Sequence, residues 1–377
     1  MLKQSSLRRL LSVAAIVAHF SVAAISAHAA SAAAKPSSTQ ANGSFVAASD
    51  PRIIYEGRFD REDPAAPGVI WQASRITLEF SGDSLELRFA ENKGQNFFDA
   101  VIDGQPSVIE LRKDQAPVGT QFSNLGSGRH RLTLFKRSEA SQGTVRFTGV
   151  ALAANGELFA PTATTFPVRF LFIGDSITVG ACNEDGKEDQ WSDFRTHNNA
   201  SSYGAFTASA FRADYRNIAV SGMGIVTGYV PIKAGELWDR VYPRSDSKRA
   251  DLSSWVPEVI FVNLGENDDS FTTVKKQPFP AEAYTDGYVV LISDIRKAYP
   301  KARIVILRGG MFGGAQSERL RTPWEAAVAQ IEAHDSLVAH FVFKHWSSTH
   351  PRVTDHRAMA DELISWLKAQ PFMAMVR

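Results

Sequence analysis

Two patterns of hydrophobic and polar positions divide the chain. In the first part, short segments alternate apolar and polar side chains, as in Ile76–Phe80 and Leu85–Phe89. Phe98–Ile102 runs directly into Asp103-Gly104, a frequent hairpin turn. A period of two is typical of strands that bury one face. Several short strands at regular spacing predict an all-β sandwich over residues 52–160.

After Pro161–Pro167, which we interpret as a short linker, the pattern changes to longer apolar runs. Val168–Ile173 and Val259–Leu264 are almost continuously apolar, as expected for strands covered on both faces. Helical and strand patterns alternate over residues 168–377, which predicts a parallel five-stranded sheet flanked by helices. The expected helices cover 202–213, 281–298, 323–334 and 353–368, and the other strands end near 220, 307 and 343.

The first 29 residues have the composition of an export signal. Three basic side chains precede the largely apolar stretch Leu10–Ile25, and Ala27–Ala29 fits a small-x-small cleavage site. We therefore expect a signal peptide over 1–29 and a periplasmic or secreted protein that is free of the membrane after cleavage. An uncleaved membrane anchor is the alternative. Residues 30–51 are rich in Ala and Ser and are expected to form a flexible leader.

Composition excludes several classes of protein. The 377 residues carry 41 Lys and Arg against 40 Asp and Glu, so there is no basic excess to attract nucleic acid. A single Cys excludes an intrachain disulfide framework and a cysteine-based zinc site. Beyond the N-terminal run, no stretch is apolar and long enough to predict a membrane span.

Candidate chemistry follows from the predicted sheet, because parallel sheets bind ligands beyond the carboxyl ends of their strands. Ser176 follows the first strand, Gly222 the second and Asn267 the third, and His350 lies between the fifth strand and the last helix. A serine hydroxyl with a histidine base forms a nucleophile, and backbone or Asn N–H groups stabilise an oxyanion. Helix capping is the alternative role for Ser176.

Other polar residues compete for a functional role. His345 is the closest alternative to the base named above, whereas His356 lies inside the last predicted helix and is expected to be structural. Glu266, Asp268 and Asp269 would form a solvated acidic loop or a calcium site. The ligand spacing of a calcium loop is absent, so we expect no metal.

The four candidates occur in the order of the sequence blocks of the SGNH, or GDSL-type, hydrolases. The matching blocks are Gly-Asp-Ser ending at Ser176, Ser-Gly-Met-Gly around Gly222, Gly-Glu-Asn-Asp around Asn267, and His350 before a proline. The first domain resembles the N-terminal domain of carbohydrate esterase family 2. The segments that carry this likeness are Gly57-Arg58, Trp71, Asp103-Gly104, Gly128–His130 and Lys136–Glu139.

The resemblance implies a jelly-roll β-domain packed on an α/β/α SGNH hydrolase domain, with no metal and no organic cofactor. It implies that Ser176 is the nucleophile and His350 the general base. The N–H groups of Ser176 and Gly222 and the side chain of Asn267 would form the oxyanion hole. The implied activity is removal of acetyl groups from plant cell-wall polysaccharides such as xylan and glucomannan.

One position departs from the family pattern. Many SGNH hydrolases have Asp three residues before the catalytic histidine, and here Ser347 stands there. We therefore expect a Ser176–His350 dyad whose histidine is oriented by a backbone carbonyl. Trp238 and Trp255 lie between the second and third blocks and are candidates for stacking on a sugar, with core packing as the alternative.

The sequence as a whole predicts an exported serine esterase that acts on acetylated xylan or glucomannan through an acyl-enzyme. The expected partner is the acetylated polysaccharide or oligosaccharide, with no nucleic acid. One alternative is a carbohydrate-binding protein whose hydrolase domain is inactive, and its support is the missing Asp. The other is a lipase or acetyltransferase that uses the same serine.

Overall fold

The computed structural model describes residues 43–112, 118–162 and 164–374. The expected signal peptide over 1–29 and most of the expected leader lie outside these ranges. Within them, no helix has the length and apolar character that a membrane crossing requires.

An antiparallel β-network forms the first domain, as the period-two pattern predicted. Its strands within the described residues are β1 Phe45–Ala47, β2 Ile54–Glu56, β3 Phe59–Asp60, β4 Gly68–Val69, β5 Arg75–Ser81, β6 Ser84–Ile102, β7 Gln105–Arg112, β8 Val118–Ser123, β9 Arg129–Lys136, β10 Gly143–Leu152 and β11 Leu158–Phe159. The long strand β6 joins two layers, because its first part pairs with β8 and β10 and its second part with β7 and β9. Alternate side chains, including Phe80, Leu87, Phe98 and Phe147, fill the core between the layers.

The expected flexible leader is wrong at its C-terminal end. Strand β1 pairs antiparallel with β10, with Phe45 opposite Ala151 and Val46 opposite Val150. Ala48 and Ile53 are buried. Composition did not reveal this strand, because ladder hydrogen bonds come from the backbone and do not require an apolar sequence.

A parallel five-stranded sheet forms the second domain and confirms the predicted architecture. Its strands are β12 Arg169–Gly174, β13 Asp214–Ala219, β14 Val259–Asn263, β15 Arg303–Met311 and β16 Val338–Ser347, in the spatial order β13-β12-β14-β15-β16. Its helices within the described residues are α1 Ser176–Val179, α2 Tyr203–Ala210, α3 Ala234–Leu237, α4 Glu266–Val274, α5 Ala281–Ala298, α6 Phe312–Gln316, α7 Glu318–His334, α8 Val353–Lys368 and α9 Pro371–Ala374. Buried side chains cover both faces of the sheet.

Five helices among the described residues, α1, α3, α4, α6 and α9, were not predicted, and α7 begins earlier than expected. Helix α4 was not predicted, because its first turn carries three acidic residues that read as a polar loop. Helix α7 begins at Glu318, five residues before the predicted start, and contains Pro323 in its second turn. Proline is favoured at a helix start, which explains why the sequence placed the boundary there.

Buried polar contacts join the two domains. Trp71 Nε1 donates to the carbonyl of Val241 at 2.7 Å. Arg58 donates to the carbonyls of Trp238 and Arg240 at 2.8 and 2.9 Å. Because satisfied buried hydrogen bonds require fixed geometry, these contacts hold the β-domain against the α/β domain.

Candidate active site

Ser176 and His350 meet at the carboxyl end of the sheet. Ser176 is the first residue of α1, directly after β12, and Asp175 caps that helix by accepting the Ile177 N–H at 3.0 Å. His350 lies in the loop between β16 and α8, and its Nε2 is 2.9 Å from Ser176 Oγ. This distance permits proton transfer from the hydroxyl to the imidazole.

The other nitrogen of His350 faces a carboxylate that the sequence did not indicate. Asp189 Oδ2 lies 2.7 Å from His350 Nδ1 and also accepts the His350 backbone N–H at 3.2 Å. The expectation of a dyad oriented by a backbone carbonyl is therefore wrong, because a charged acceptor occupies that place. Ser347, at the usual position of the acid, interacts with Thr349 instead.

Asp189 remains charged in this position. Burial by itself would raise its pKa, but hydrogen bonds from His350 and Arg352 outweigh burial and hold the pKa of Asp189 well below its usual range. Arg352 donates to Asp189 Oδ1 at 2.7 Å and to the carbonyl of His350 at 2.9 Å. The resulting chain of contacts orients the imidazole and balances its charge.

The loop that carries Asp189 is held by its own polar contacts and by the β-domain. Gln190 donates its backbone N–H to Asp185 at 2.9 Å and its side-chain amide to Thr196 Oγ1 at 2.6 Å. Arg137 of the β-domain forms an ion pair with Glu184 and donates to the carbonyl of Arg195 at 3.2 Å. The position of the acid thus depends on both domains.

Two backbone N–H groups are available to an oxyanion. Neither the Ser176 nor the Gly222 N–H donates a hydrogen bond within the described part of the chain. Gly222 has a φ of 81°, in the left-handed region that favours glycine. Both residues line a cavity of about 470 Å³ together with His350. Unpaired N–H groups beside a nucleophile are the donors that a tetrahedral oxyanion requires.

The β-domain fixes the loop that presents Gly222. Glu139 is fully buried, and its carboxylate accepts the Ser221 N–H at 2.8 Å and the Ser221 hydroxyl at 2.5 Å. Burial raises the pKa of Glu139, against the effect of its hydrogen bonds and of the nearby Lys136. Gln142, three residues further along, lines the cavity itself. Sequence reasoning included Glu139 only as part of a family motif and gave it no role.

Asn267 lines the cavity but is engaged elsewhere. Its amide donates to Asp175 Oδ2 at 3.1 Å and to the carbonyl of Met223 at 3.0 Å. Both amide hydrogens are thereby occupied, which corrects the expectation of a free oxyanion donor. Asn267 would stabilise an oxyanion only by exchanging one of these bonds for it.

The acidic residues beside Asn267 are neither a solvated loop nor an open calcium site. Each has a buried carboxylate that accepts hydrogen bonds from the protein. Glu266 accepts the backbone N–H groups of Gly313 and Gly314 at 3.1 and 2.8 Å. Asp268 accepts those of residues 225–227, and burial raises its pKa to about 6. Asp269 accepts from Ser317 and Arg319. These residues position loops around the cavity.

The predicted sugar-stacking residues lie elsewhere. Trp238 is buried in the hydrophobic core, and Trp255 donates its Nε1–H to Asp214 at 2.6 Å, outside the Ser176 cavity. Both predictions are wrong, because a tryptophan in sequence between functional blocks can face the core. Trp191 and Tyr229 line the cavity instead, and they are 42% and 51% exposed. Exposure of large aromatic rings is a tertiary property that no local pattern indicated.

His345 and His356 contact groups other than Ser176. His345 Nε2 pairs with Asp355 at 2.8 Å, away from Ser176. His356 is fully buried, accepts the Tyr203 N–H at 3.2 Å, and has a pKa lowered to about 3 by burial.

One group of side chains in the described residues could hold a metal ion. Cys182, Asp189 and His350 place possible ligand atoms within 4.8 Å of one another. Asp189 and His350 already bind each other, so an ion there would replace the hydrogen bond that orients the imidazole. The absence of a metal stays a prediction.

Comparison with known proteins supports the sequence resemblance. Residues 55–161 match the family model described as Carbohydrate esterase 2 N-terminal, and residues 172–363 match the GDSL-like Lipase/Acylhydrolase family. The fold and the site together thus define a hydrolase of the GDSL type.

Similar proteins show to which family of GDSL-type hydrolases the chain belongs. The chain is 32% identical over 330 residues to the Cellulase/esterase CelE of Acetivibrio thermocellus, covering 85% of this chain and 39% of that protein. It is 28% identical to an Acetylxylan esterase / glucomannan deacetylase of Cellvibrio japonicus, covering 84% and 89%. A solved family two carbohydrate esterase from Clostridium thermocellum in complex with cellohexaose is 30% identical, with a TM-score of 0.73 over 84% of this chain and 98% of that one. The chain belongs to carbohydrate esterase family 2.

Proposed function

We propose that this chain is a serine esterase that removes O-acetyl groups from plant cell-wall polysaccharides, with acetylated xylan or glucomannan as its substrate class. The observation that carries the proposal is the linked series Ser176, His350 and Asp189, beside two N–H groups that have no partner among the described residues. The similar protein from Cellvibrio japonicus, named for both activities, supports the choice of substrate.

In the proposed mechanism, Ser176 Oγ attacks the acetyl carbonyl while His350 Nε2 takes its proton. The developing oxyanion lies against the N–H groups of Ser176 and Gly222. His350 then gives the proton to the sugar oxygen as its bond to the acetyl carbon breaks. The sugar leaves with a free hydroxyl group, and an acetyl-enzyme remains. Water attacks this ester with His350 again as base, and acetate is released.

Asp189 has a positioning role in this scheme. Its carboxylate fixes Nδ1–H of His350 so that Nε2 is the unprotonated nitrogen facing Ser176. It also stabilises the imidazolium that forms during attack, which a backbone carbonyl would do less well because it carries no full charge.

Exposed aromatic side chains in the cavity support a sugar as the ligand. Trp191 and Tyr229 expose aromatic faces of the kind on which pyranose rings stack, and the Trp191 ring centre is 5.0 Å from that of His350. The related Clostridium thermocellum esterase was solved with cellohexaose. The proposal therefore places the glycan across these rings and the acetyl group at Ser176.

Export is the second part of the proposal. Polymeric cell-wall substrates do not enter cells, so the enzyme needs the signal-like composition of residues 1–29 to reach them. The proposed location is the periplasm or the medium.

Acetate release from acetylated xylan and acetylated glucomannan tests the proposal. Wild-type protein should release acetate from one or both, and Ser176→Ala should retain less than about one tenth of kcat, because the nucleophile is lost. A serine-reactive organophosphate should label Ser176. Labelling elsewhere, or glycan binding with no acetate release, would support an inactive binding protein instead. Faster hydrolysis of long-chain fatty acyl esters than of acetylated polysaccharides would support a lipase.

A further inference from the structure

A second cavity, of about 630 Å³, lies between the two domains. It shares no lining residue with the Ser176 cavity. Arg216 on strand β13 contributes to its wall, beside Leu171 on β12. Leu171 precedes Ser176 by five residues on a strand that runs toward the active site. The two cavities therefore lie at different positions along the direction of the strands.

Arg216 is a cation without a hydrogen-bond partner in this cavity. Its Nε is buried and unpaired, and within the described residues its guanidinium forms no salt bridge. The guanidinium stacks on the Trp255 ring, with 4.1 Å between its carbon and the ring centre. The nearest carboxylate, that of Asp214, is bound by Trp255 Nε1 and by Arg75. The two terminal nitrogens of Arg216 also have no partner within the described residues, and unlike Nε they are not buried, so they are available to a ligand.

The surrounding charge favours an anion. Arg58 reaches the same cavity, and its guanidinium is bonded to two carbonyl groups rather than to a carboxylate. Arg61 stacks on Tyr55 at 4.9 Å. Lys248 is neutralised by Asp60 and Glu62. Asp251 is an acidic lining residue that accepts from Ser253.

Nearby positive charges repel one another, and an anion between them relieves this repulsion. Burial is the main cause that lowers the pKa of Arg216 to about 10. The carboxylate of Asp214 acts in the opposite direction, and the nearby Arg58 lowers the pKa further. A planar carboxylate pairs with an arginine through two parallel hydrogen bonds, and a guanidinium held flat on an indole is already oriented for this.

We infer that this cavity binds a carboxylate-bearing sugar of the uronate class through Arg216. The volume exceeds what a bare ion fills and falls in the range of small-molecule sites at domain interfaces. Ser254 and Asp251 provide partners for sugar hydroxyl groups. The choice of a sugar over another carboxylate rests on the proposed function, and the anion site itself does not.

Isothermal titration calorimetry of the full chain with sodium glucuronate tests the inference. Glucuronate should bind wild type at least tenfold more tightly than glucose does, and Arg216→Gln should weaken glucuronate binding at least tenfold. Arg357→Gln is the matched control, because Arg357 also stacks on an aromatic ring, that of Phe206, but lies on the surface outside the cavity. This control should bind glucuronate as wild type does.

Other outcomes overturn the inference. Equal glucuronate binding by wild type and Arg216→Gln would show that Arg216 does not bind the carboxylate. Acetate or inorganic phosphate binding as tightly as glucuronate would show a general anion site rather than a uronate site. Hydrolysis of a small acetyl ester, measured on the same samples, should be unchanged by Arg216→Gln. That assay reports the proposed esterase activity separately from the uronate site.

Discussion

At the scale of single residues, the important finding is that the acid opposite His350 comes from a distant loop. Asp189 is 161 positions from the histidine, while the usual position, three residues before it, holds Ser347. Its two oxygens accept from His350 and Arg352, so the carboxylate is both oriented and charged. A chain that lacks the family's local acid therefore still presents a three-residue arrangement.

Replacing Asp189 should lower activity without disrupting the fold. Asp189→Asn should reduce kcat for a small acetyl ester by about 10²–10⁴, because the amide favours the wrong imidazole tautomer. Because the pKa of Asp189 is held below the usual range, it is ionised throughout the neutral range, and the loss should be present at both pH 6 and pH 8. Steady-state kinetics at both pH values measure this.

Ser347→Ala is the control and should cost less than about tenfold in kcat, because general-base catalysis does not pass through it. If Asp189→Asn were as active as wild type while Ser347→Ala were inactive, the acid would be wrongly assigned.

At the scale of elements, the segment after β9 reaches from the β-domain into the site. Arg137 holds the loop of Asp189, Glu139 holds Ser221 beside the oxyanion glycine, and Gln142 lines the cavity. Lys136 lies at the base of this segment, and its Nζ is within hydrogen-bond distance of four carbonyl oxygens. One turn of the β-domain thus supports two parts of the catalytic arrangement.

We expect Glu139→Ala to lower kcat by about 10–10² with little change in KM for a small ester. The Gly222 N–H would lose its fixed direction, and an oxyanion donor lost outright costs about 10²–10³. Glu139→Gln should restore part of kcat, since its amide can still accept from the Ser221 N–H. Glu157→Gln, on an exposed carboxylate of the same domain, is the control. A change in KM with no change in kcat would contradict the proposed role of Glu139 in positioning the loop of Gly222.

At the scale of the whole molecule, the two domains share hydrogen bonds and part of one hydrophobic core. The Gln72 amide donates to Asn217 Oδ1 at 2.7 Å and to the carbonyl of Ala219 at 2.9 Å, on the strand that leads to the oxyanion loop. Separating the domains would break these bonds and those of Trp71 and Arg58, and it would expose the apolar side chains that the two domains share in one core. Each hydrogen bond lost to water costs about 0.5–1.5 kcal/mol.

A fragment that begins near residue 165 should therefore fail to form a stable enzyme. We expect it to be insoluble, or to retain less than about one tenth of the full chain's kcat on a small acetyl ester, because it lacks Arg137 and Glu139. Circular dichroism and ester hydrolysis against the full chain measure this. A soluble, folded fragment with full activity would refute the prediction.

Much of the architecture was predictable from local pattern. The alternation of apolar and polar residues indicated the β-domain, and continuous apolar runs indicated the parallel strands. Helices α5 and α8 have the predicted bounds, since their apolar spacing is regular. Helix α4 and strand β1 were missed, because acidic and small residues there resemble loops and their stability comes from tertiary contacts.

What the sequence alone determined was the order of the elements and the position of Ser176, Gly222, Asn267 and His350 after successive strands. Such information is local, since it depends on neighbours along the chain. Only the tertiary structure decided which side chains meet. Asp189 and His350 are far apart in the chain, and no spacing rule relates residues brought together by a sheet edge and by a second domain. The same reason explains why Trp191 faces the cavity while Trp238 is buried in the core.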